Sequence, residues 1–308
     1  MFLLILQQIY SQALCETMIK PDQQSQSRII GVASCIGAQN TTCHSAASSI
    51  QALNAANILQ ASWDITLSPV LNDNTEKSIA DLCLQIARET RQSVIDNRFF
   101  TVFGGDHSCA IGTWSGVSSV VCPESLGLIW IDAHMDAHTP ETSPSGAIHG
   151  MPLACLLGEG PDSLRYIGGE FEKILPQNLV LIGIRSYEKG EAELLAKKGV
   201  KVFHMRDIQQ LGIQEVFRQT IDHLQKCCTN VGVSIDLDAI DPTEAPGVGS
   251  TASHGLGVSG LLEGLSLVRE RLPLVGCEIV ELNPTRDIAN KTAKIAIELA
   301  KTLNPIPV

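Results

Sequence analysis

Short apolar runs alternate with longer amphipathic stretches along most of the chain. The apolar runs are Arg28–Ala33, Phe99–Phe103, Leu126–Ile131, Leu179–Ile184, Val231–Ile235 and Cys277–Val280. Helical spacing of apolar positions is found in Glu76–Asp96, Glu191–Lys198, Gln214–Lys226, Ser259–Arg271 and Ile288–Leu303. Continuous apolar runs between helices are typical of parallel strands that are buried on both faces. The pattern therefore predicts an α/β fold in which helices cover both faces of one mainly parallel sheet.

Polar and charged side chains follow four of the predicted strands directly. These segments are Gly104–Ser108, Asp132–His138, Asp236–Pro242 and Glu281–Pro284. In open α/β sheets, sites form beyond the carboxyl ends of the strands, near a switch in strand order. We therefore expect segments that are distant in sequence to converge at one edge of the sheet.

The segment after Leu126–Ile131 carries the densest candidate chemistry. In an extended chain Asp132, His134 and Asp136 point the same way, and burying carboxylates together is costly unless cations neutralise them. With the neighbouring strand ends, the candidate metal ligands are His107, Asp132, His134, Asp136, Asp236 and Asp238. Four carboxylates and two imidazoles exceed the needs of one tetrahedral zinc and favour two Mn²⁺ ions. Two such ions, roughly 3.5–4 Å apart, activate water, which indicates hydrolysis.

Composition limits the kinds of molecule that the chain is expected to bind. The 308-residue chain is 44% hydrophobic and only 18% charged, which suggests a large core and leaves room for a buried subunit interface. Its formal net charge of -11 argues against nucleic acid and suits a cationic small molecule. The ten cysteines include no CxxC pair, and several lie in apolar surroundings, so we expect reduced thiols and a cytoplasmic protein.

The domain organisation is expected to be simple. Residues 1–28 are assigned to an N-terminal extension or surface helix, and residues 29–308 to a single catalytic domain. The apolar start is interrupted by Gln7 and Gln8, and no basic residue precedes it, so neither a signal peptide nor a membrane partner is expected.

The motifs together resemble those of the ureohydrolase family. Gly104–Ser108, Asp132–Asp136 and Ser234–Pro242 are similar to its three metal motifs, in the same order, and Thr142–Leu153 resembles arginases more than agmatinases. The likeness runs from about residue 29 to the end of the chain. It implies a three-layer αβα sandwich, two Mn²⁺ per subunit and hydrolysis of a guanidino substrate to urea and an amine. L-arginine, giving L-ornithine, is the favoured substrate, and a homo-oligomer (trimer or hexamer) is implied.

Matching positions imply individual roles. One ion would be held by His107, Asp132, Asp136 and Asp236, and the other by Asp132, His134, Asp236 and Asp238, so that Asp132 and Asp236 bridge. Glu281 matches the carboxylate that receives the guanidinium group, and His149 matches a histidine that relays protons. With Asp136, these two residues form the implied catalytic set. Asp106 and Asp241 lie inside the motifs and are expected to support turns or ligands.

The substrate's far end is where the chain departs from arginases. Ser145, Glu188 and Glu191 match positions that bind or face the amino-acid end of arginine. His138 and Ala147, however, stand where arginases usually carry asparagine. Ala147 donates no side-chain hydrogen bond, and losing such a bond to a charged group costs on the order of 1.5–3 kcal/mol. His138 either compensates by contacting a carboxylate, marks a different substrate tail, or is a histidine at the rim.

These departures keep alternatives open. An agmatinase, a guanidino-acid hydrolase and a formimidoylglutamase share the reaction class. A non-catalytic metal-binding or regulatory homologue is a different class, and the complete ligand set with His149 and Glu281 argues against it. A zinc deacylase on a similar fold is disfavoured by the second imidazole and the four carboxylates.

Overall fold

The computed structural model describes residues 26–38 and 42–305. Residues 1–25 of the expected N-terminal extension lie outside the described residues, and the boundary at residue 28 stays a prediction. Across the described ranges, no helix is both long enough and apolar enough to cross a membrane.

Eight strands form a single sheet in which every pairing is parallel. In chain order they are β1 (Arg28–Val32), β2 (Ser62–Leu67), β3 (Phe100–Phe103), β4 (Leu126–Ile131), β5 (Leu179–Ile184), β6 (Lys201–His204), β7 (Asn230–Asp236) and β8 (Leu274–Val280). Their order across the sheet is β2-β1-β3-β8-β7-β4-β5-β6. The chain therefore crosses from β3 to β4 over the space that β8 and β7 fill later.

Helices cover both faces of this sheet. In chain order they are α1 (Ala46–Ala52), α2 (Ala55–Ile58), α3 (Thr75–Ile95), α4 (Cys109–Ser118), α5 (Pro152–Leu156), α6 (Asp162–Arg165), α7 (Lys189–Lys198), α8 (Met205–Leu211), α9 (Ile213–Leu224), α10 (Val258–Arg271) and α11 (Lys291–Leu303). One buried cluster joins the sheet to α3, α4, α5 and α7, and a second joins its other face to α1, α2 and α8–α11. The expected three-layer sandwich is confirmed.

The six strands predicted from apolar runs are all present, and β4 and β5 have the expected bounds. Two strands were missed, β2 and β6, which lie at the two edges of the sheet. Their side chains are partly exposed and include Asp64 and Lys201, so no continuous apolar run marks them. Helix α4 was also missed, because all of its residues are buried and it has no polar face.

The expectation of reduced thiols is wrong for one pair of cysteines. Cys35 and Cys43 form a disulfide with a Cα–Cα distance of 5.4 Å. Cys43 begins a short 3-10 turn that returns to the segment after β1, which brings the two residues within bonding range. The other cysteines in the described ranges are not part of a disulfide: Cys83, Cys109, Cys122, Cys155, Cys227, Cys228 and Cys277.

Candidate active site

The four polar segments meet at the carboxyl edge of the sheet. Strands β3, β8, β7 and β4 are consecutive neighbours in the strand order, so the segments that follow them emerge side by side. Parallel pairing gives all four the same direction. The convergence expected from the sequence is therefore present, and it lies where the strand order switches.

The first group of side chains surrounds His107, which is fully buried. Its Nδ1 lies 3.1 to 3.3 Å from one carboxylate oxygen of each of three aspartates, which are Asp132, Asp136 and Asp236. The indole of Trp130 stacks on the imidazole, with ring centroids 4.0 Å apart. The ring plane is thus fixed, and its Nδ1 faces three acids.

The second group lies beside the first and shares Asp132 with it. His134 Nδ1 is 3.0 Å from Asp238 Oδ2 and 3.6 Å from Asp132 Oδ1. The other oxygen of Asp132, Oδ2, faces His107. Asp132 therefore presents one oxygen to each group, which is the geometry of a bridging carboxylate. Asp236 belongs only to the first group, and its Oδ1 accepts a hydrogen bond from Asp238 N.

A divalent cation fits both groups. The possible ligand atoms within each lie within 4.8 Å of one another. His107 Nδ1 is buried and makes no hydrogen bond of acceptable geometry, although three carboxylates surround it. A buried polar atom with no partner requires an explanation, and a cation at the centre of the acids supplies one. Oxygen-rich ligands with two imidazoles suit Mn²⁺.

The acid–base state of these groups also indicates a need for positive charge. Burial raises the pKa of Asp136, and the charge of Asp132 raises it further, to about 6. Burial lowers the pKa of His107 and His134, but the neighbouring carboxylates raise both pKa values well above the ordinary value. The carboxylates therefore favour positive charge at both imidazoles. A metal cation would supply positive charge at the same place.

Glu281 and His149 form a pair next to the first group. Glu281 Oε1 accepts hydrogen bonds from His107 N at 2.9 Å and from His149 Nδ1 at 3.0 Å. Burial lowers the pKa of His149, but the hydrogen bond and charge of Glu281 raise it to about 9. His149 N also donates to Gly37 O at 3.0 Å. The imidazole is consequently a proton donor held at a fixed position.

The backbone is strained at two site residues. Asp136 and Glu281 both have positive φ, at 47° and 64°. Such conformations cost about 1–3 kcal/mol in residues other than glycine and persist where the surroundings impose them. The loop carrying His107 packs closely as well, because a Cβ on Gly105 would lie 1.6 Å from Ser34 O. The site is therefore held rigidly by backbone contacts.

The predicted substrate-binding residues lie at the other end of the same cleft. His138 is 7% exposed, and its Nε2 lies 3.0 Å from Glu188 Oε2 and 3.3 Å from Glu191 Oε2. Its Nδ1 lies 3.2 Å from Thr142 Oγ1. Burial raises the pKa of Glu191 to about 8. His138 is thus a buried member of a histidine–glutamate cluster rather than a histidine at a solvent-facing rim.

The cleft has a volume of about 220 Å³ and joins the two ends. Ser145 and Ala147 line it together with residues of the metal groups and His138. Ser145 Oγ accepts a hydrogen bond from Ala147 N, which leaves its hydroxyl proton free to donate. Ser143 and Ser250 also line the cleft, and sequence reasoning missed both. Isolated serines in loops give no signal by which they could have been found.

The acids inside the motifs but outside the ligand set act as supports. Asp106 is buried and accepts hydrogen bonds from Gly37 N and Ser108 N. Asp241 accepts from Thr243 N and Gly255 N and holds the turn after β7. Both therefore stabilise loops that carry site residues, as expected from the sequence.

Comparisons with known proteins agree with this arrangement. The model of the arginase family matches residues 26–304. The arginase of Bacillus caldovelox is 43% identical over 227 residues, which cover 74% of this chain and 75% of that protein. A crystal structure of arginase from Bacillus subtilis matches with a TM-score of 0.84 at 35% identity, covering 91% of this chain and 98% of that one. An arginase from Entamoeba histolytica in complex with L-ornithine matches with a TM-score of 0.82 at 26% identity, covering 91% and 99%.

Proposed function

Because the chain belongs to the arginase family, we propose that it is a binuclear manganese enzyme that hydrolyses L-arginine to L-ornithine and urea. As a member of that family it is a hydrolase that acts on the C–N bond of a guanidino group. The observation that carries the metal proposal is the position of Asp132, whose two oxygens face two separate histidine–aspartate groups. The substrate proposal is supported by the names of the relatives and by the cleft that leads away from these groups.

The proposed ligands are the two sets implied by the resemblance. His107, Asp132, Asp136 and Asp236 would hold one Mn²⁺, and Asp132, His134, Asp236 and Asp238 the other. When bound, the metal pair supplies Lewis-acid activation of water for attack on the guanidinium carbon. The buried surroundings of His107 and Asp132 support this role. Side chains that are already ordered lose little conformational entropy when they bind a metal.

Glu281 is proposed to orient the guanidinium group. Its Oε1 is held by two donors, and Oε2 accepts no hydrogen bond from the described part of the chain. A planar guanidinium forms strong, charge-assisted hydrogen bonds to a carboxylate oxygen of this kind. Glu188 and Glu191 would then face the α-amino group, while Ser145 and His138 would lie near the α-carboxylate.

His149 is proposed to move the proton that the leaving amine requires. Hydrolysis of the guanidinium carbon expels an amine, which leaves readily only when it is protonated. The imidazole is hydrogen-bonded to Glu281, so with a guanidinium on that carboxylate it would lie near the leaving amine. Its raised pKa of about 9 means that it carries a proton at neutral pH, as a general acid must.

The substrate proposal predicts the outcome of a urea-release assay. The Mn²⁺-loaded chain is expected to turn over L-arginine at least about tenfold better in kcat/KM than agmatine or 4-guanidinobutyrate. Agmatine lacks the carboxylate, and 4-guanidinobutyrate lacks the α-amino group and is one carbon shorter. If arginine is inert and another guanidino compound releases urea, the substrate assignment is wrong and the reaction class stands. If none releases urea, the catalytic assignment fails as well.

The proton-transfer proposal predicts a selective defect for His149→Ala. We expect kcat to fall about a hundredfold, the lower end of what positioned proton transfer contributes, with bound Mn²⁺ unchanged. The measurement is urea release together with metal analysis by mass spectrometry. His204→Ala is a control, since His204 lies at the end of β6 and does not line the cleft. Unchanged kcat in His149→Ala contradicts the role.

Three further assignments remain predictions. We propose that residues 29–308 form one catalytic domain and that the protein is cytoplasmic. A trimer or hexamer is proposed from the family resemblance. Exposed apolar side chains such as Val70, Leu71 and Ile288 are compatible with a subunit interface.

A further inference from the structure

A chain of buried hydrogen bonds runs from the interior of the sheet to His107. Glu278, in the middle of β8, is fully buried. Ser234 Oγ donates to Glu278 Oε2 at 2.9 Å, and the same Oγ lies 3.0 Å from His107 Nε2. Thr113 Oγ1, from α4, donates to Glu278 Oε1 at 2.5 Å. β7, β8 and α4 are therefore connected by hydrogen bonds to Nε2 of His107, the ring nitrogen that does not face the aspartates.

With Glu278 ionised, the direction of these bonds sets the tautomer of His107. A carboxylate can only accept, so the single hydroxyl proton of Ser234 is donated to Glu278. Ser234 Oγ must then accept from His107, so Nε2 carries the hydrogen. In a neutral imidazole the lone pair consequently lies on Nδ1, which is the atom that faces the three aspartates.

Stacking alone would not determine which ring nitrogen of His107 faces the aspartates. The indole of Trp130 lies parallel to the imidazole, at an interplanar angle of 6°, and restrains only the plane of the ring. A half-turn about the Cβ–Cγ bond would return the ring to the same plane, keep the stacking and exchange Nδ1 with a carbon. The contact with Ser234 opposes this rotation, because it would leave a buried hydroxyl oxygen facing a C–H group.

We propose that Ser234 and Glu278 are positioning residues that hold His107 with its hydrogen on Nε2 and with Nδ1 directed to the first metal position. The proposal rests on the metal site of the proposed function and adds two residues that lie outside its ligand set. Outer hydrogen-bond partners of this kind fix ligand orientation, and their loss typically weakens metal binding about 10- to 100-fold. The effect should be confined to the first position, since His134 has no contact with Ser234.

The test is a Mn²⁺ binding titration on the full chain by equilibrium dialysis with metal analysis. In Ser234→Ala the dissociation constant at one position is expected to rise about 10- to 100-fold, while the other position keeps its affinity. Glu278→Gln should change the same position in the same direction but less, because its amide oxygen still accepts from Ser234 without the charge. The thermal midpoint of each metal-free variant shows whether the fold is retained.

Ser118→Ala is the matched control. Ser118 is a buried serine on α4, and within the described part of the chain its hydroxyl donates to Ser115 O alone. Removing it reports the general cost of losing a buried hydroxyl, and both metal positions should keep their affinity. Wild-type affinity at both positions in Ser234→Ala and Glu278→Gln overturns the positioning role and leaves the metal site standing. If the unaltered chain binds no divalent metal, the metal site and the positioning role fail together.

Discussion

Replacing Asp132 by alanine is expected to empty both metal positions and to lower kcat/KM for arginine by at least roughly three orders of magnitude. Asp132 directs Oδ2 to the His107 group and Oδ1 to the His134 group, so its loss removes a ligand from each. A bound metal stabilises the transition state by several kcal/mol, and each 1.36 kcal/mol corresponds to about tenfold in rate. The measurement is Mn²⁺ per chain after loading and desalting, together with urea release.

Variants of two other aspartates test whether the loss of both ions is specific to Asp132. Asp136 lies only in the His107 group, so Asp136→Ala is expected to lose one ion and retain the other. Asp241→Asn is the control, because Asp241 accepts backbone hydrogen bonds in the motif that carries Asp236 and Asp238 and belongs to neither metal group. Full occupancy of both positions in Asp132→Ala contradicts the bridging role. Loss of both ions in Asp241→Asn would point to general disruption of the loop.

The same assignment makes Asp236 a second bridging residue. The sequence resemblance implies that it bridges, yet only its Oδ2 faces a histidine, at 3.3 Å from His107 Nδ1. Its Oδ1 accepts the backbone N–H of Asp238, just as Asp132 Oδ1 accepts that of His134. Metal analysis of Asp236→Ala distinguishes the two cases, since a bridging residue affects both positions and a ligand of the first group affects one.

Much of the sheet could be predicted because its central strands are buried on both faces. β4 and β5 consist of buried residues throughout and are marked by uninterrupted apolar runs. The edge strand β2 could not be found this way, since its Asp64 forms ion pairs with Arg28 and Arg98 at the rim of the sheet. Polar residues on an edge strand remove the apolar signal without preventing backbone pairing.

The metal ligands could be predicted for a different reason. They follow strands directly, and parallel strands deliver their carboxyl ends to one edge, so adjacency in sequence becomes adjacency in space. Contacts between residues that are far apart along the chain left no comparable pattern in the sequence. Glu278 contacts Thr113 across 165 positions, and a single acid within an apolar run does not identify its partner. The disulfide between Cys35 and Cys43 was missed because spacing alone does not show that the chain turns back.

The second large effect is expected for Glu281→Gln, which should lower kcat/KM for arginine by roughly two to four orders of magnitude while leaving bound Mn²⁺ unchanged. Removing one partner of a buried charge pair typically costs about 3–5 kcal/mol, and each 1.4 kcal/mol is about tenfold. Glutamine keeps the size of the side chain, but it is uncharged and can present an N–H₂ group to the cationic guanidinium. Glu281 is absent from both metal groups, so metal content is not expected to follow activity.

The backbone of Glu281 makes this variant informative. Its strained φ of 64° is held by a hydrogen bond from its own N–H to Gly105 O at 2.7 Å, which glutamine preserves. Its Oε1 receives the N–H of His107, and an amide oxygen can accept that bond as well. Geometry is therefore retained while the charge is removed, and steady-state urea release measures the contribution of the charge.

Glu263→Gln on α10, whose carboxylate contacts Gln214 and Ser259, is the matched control and should be unaffected. A kcat/KM for Glu281→Gln within twofold of the unaltered chain contradicts guanidinium recognition by this carboxylate, and parallel loss of Mn²⁺ would instead make Glu281 a support of the metal site.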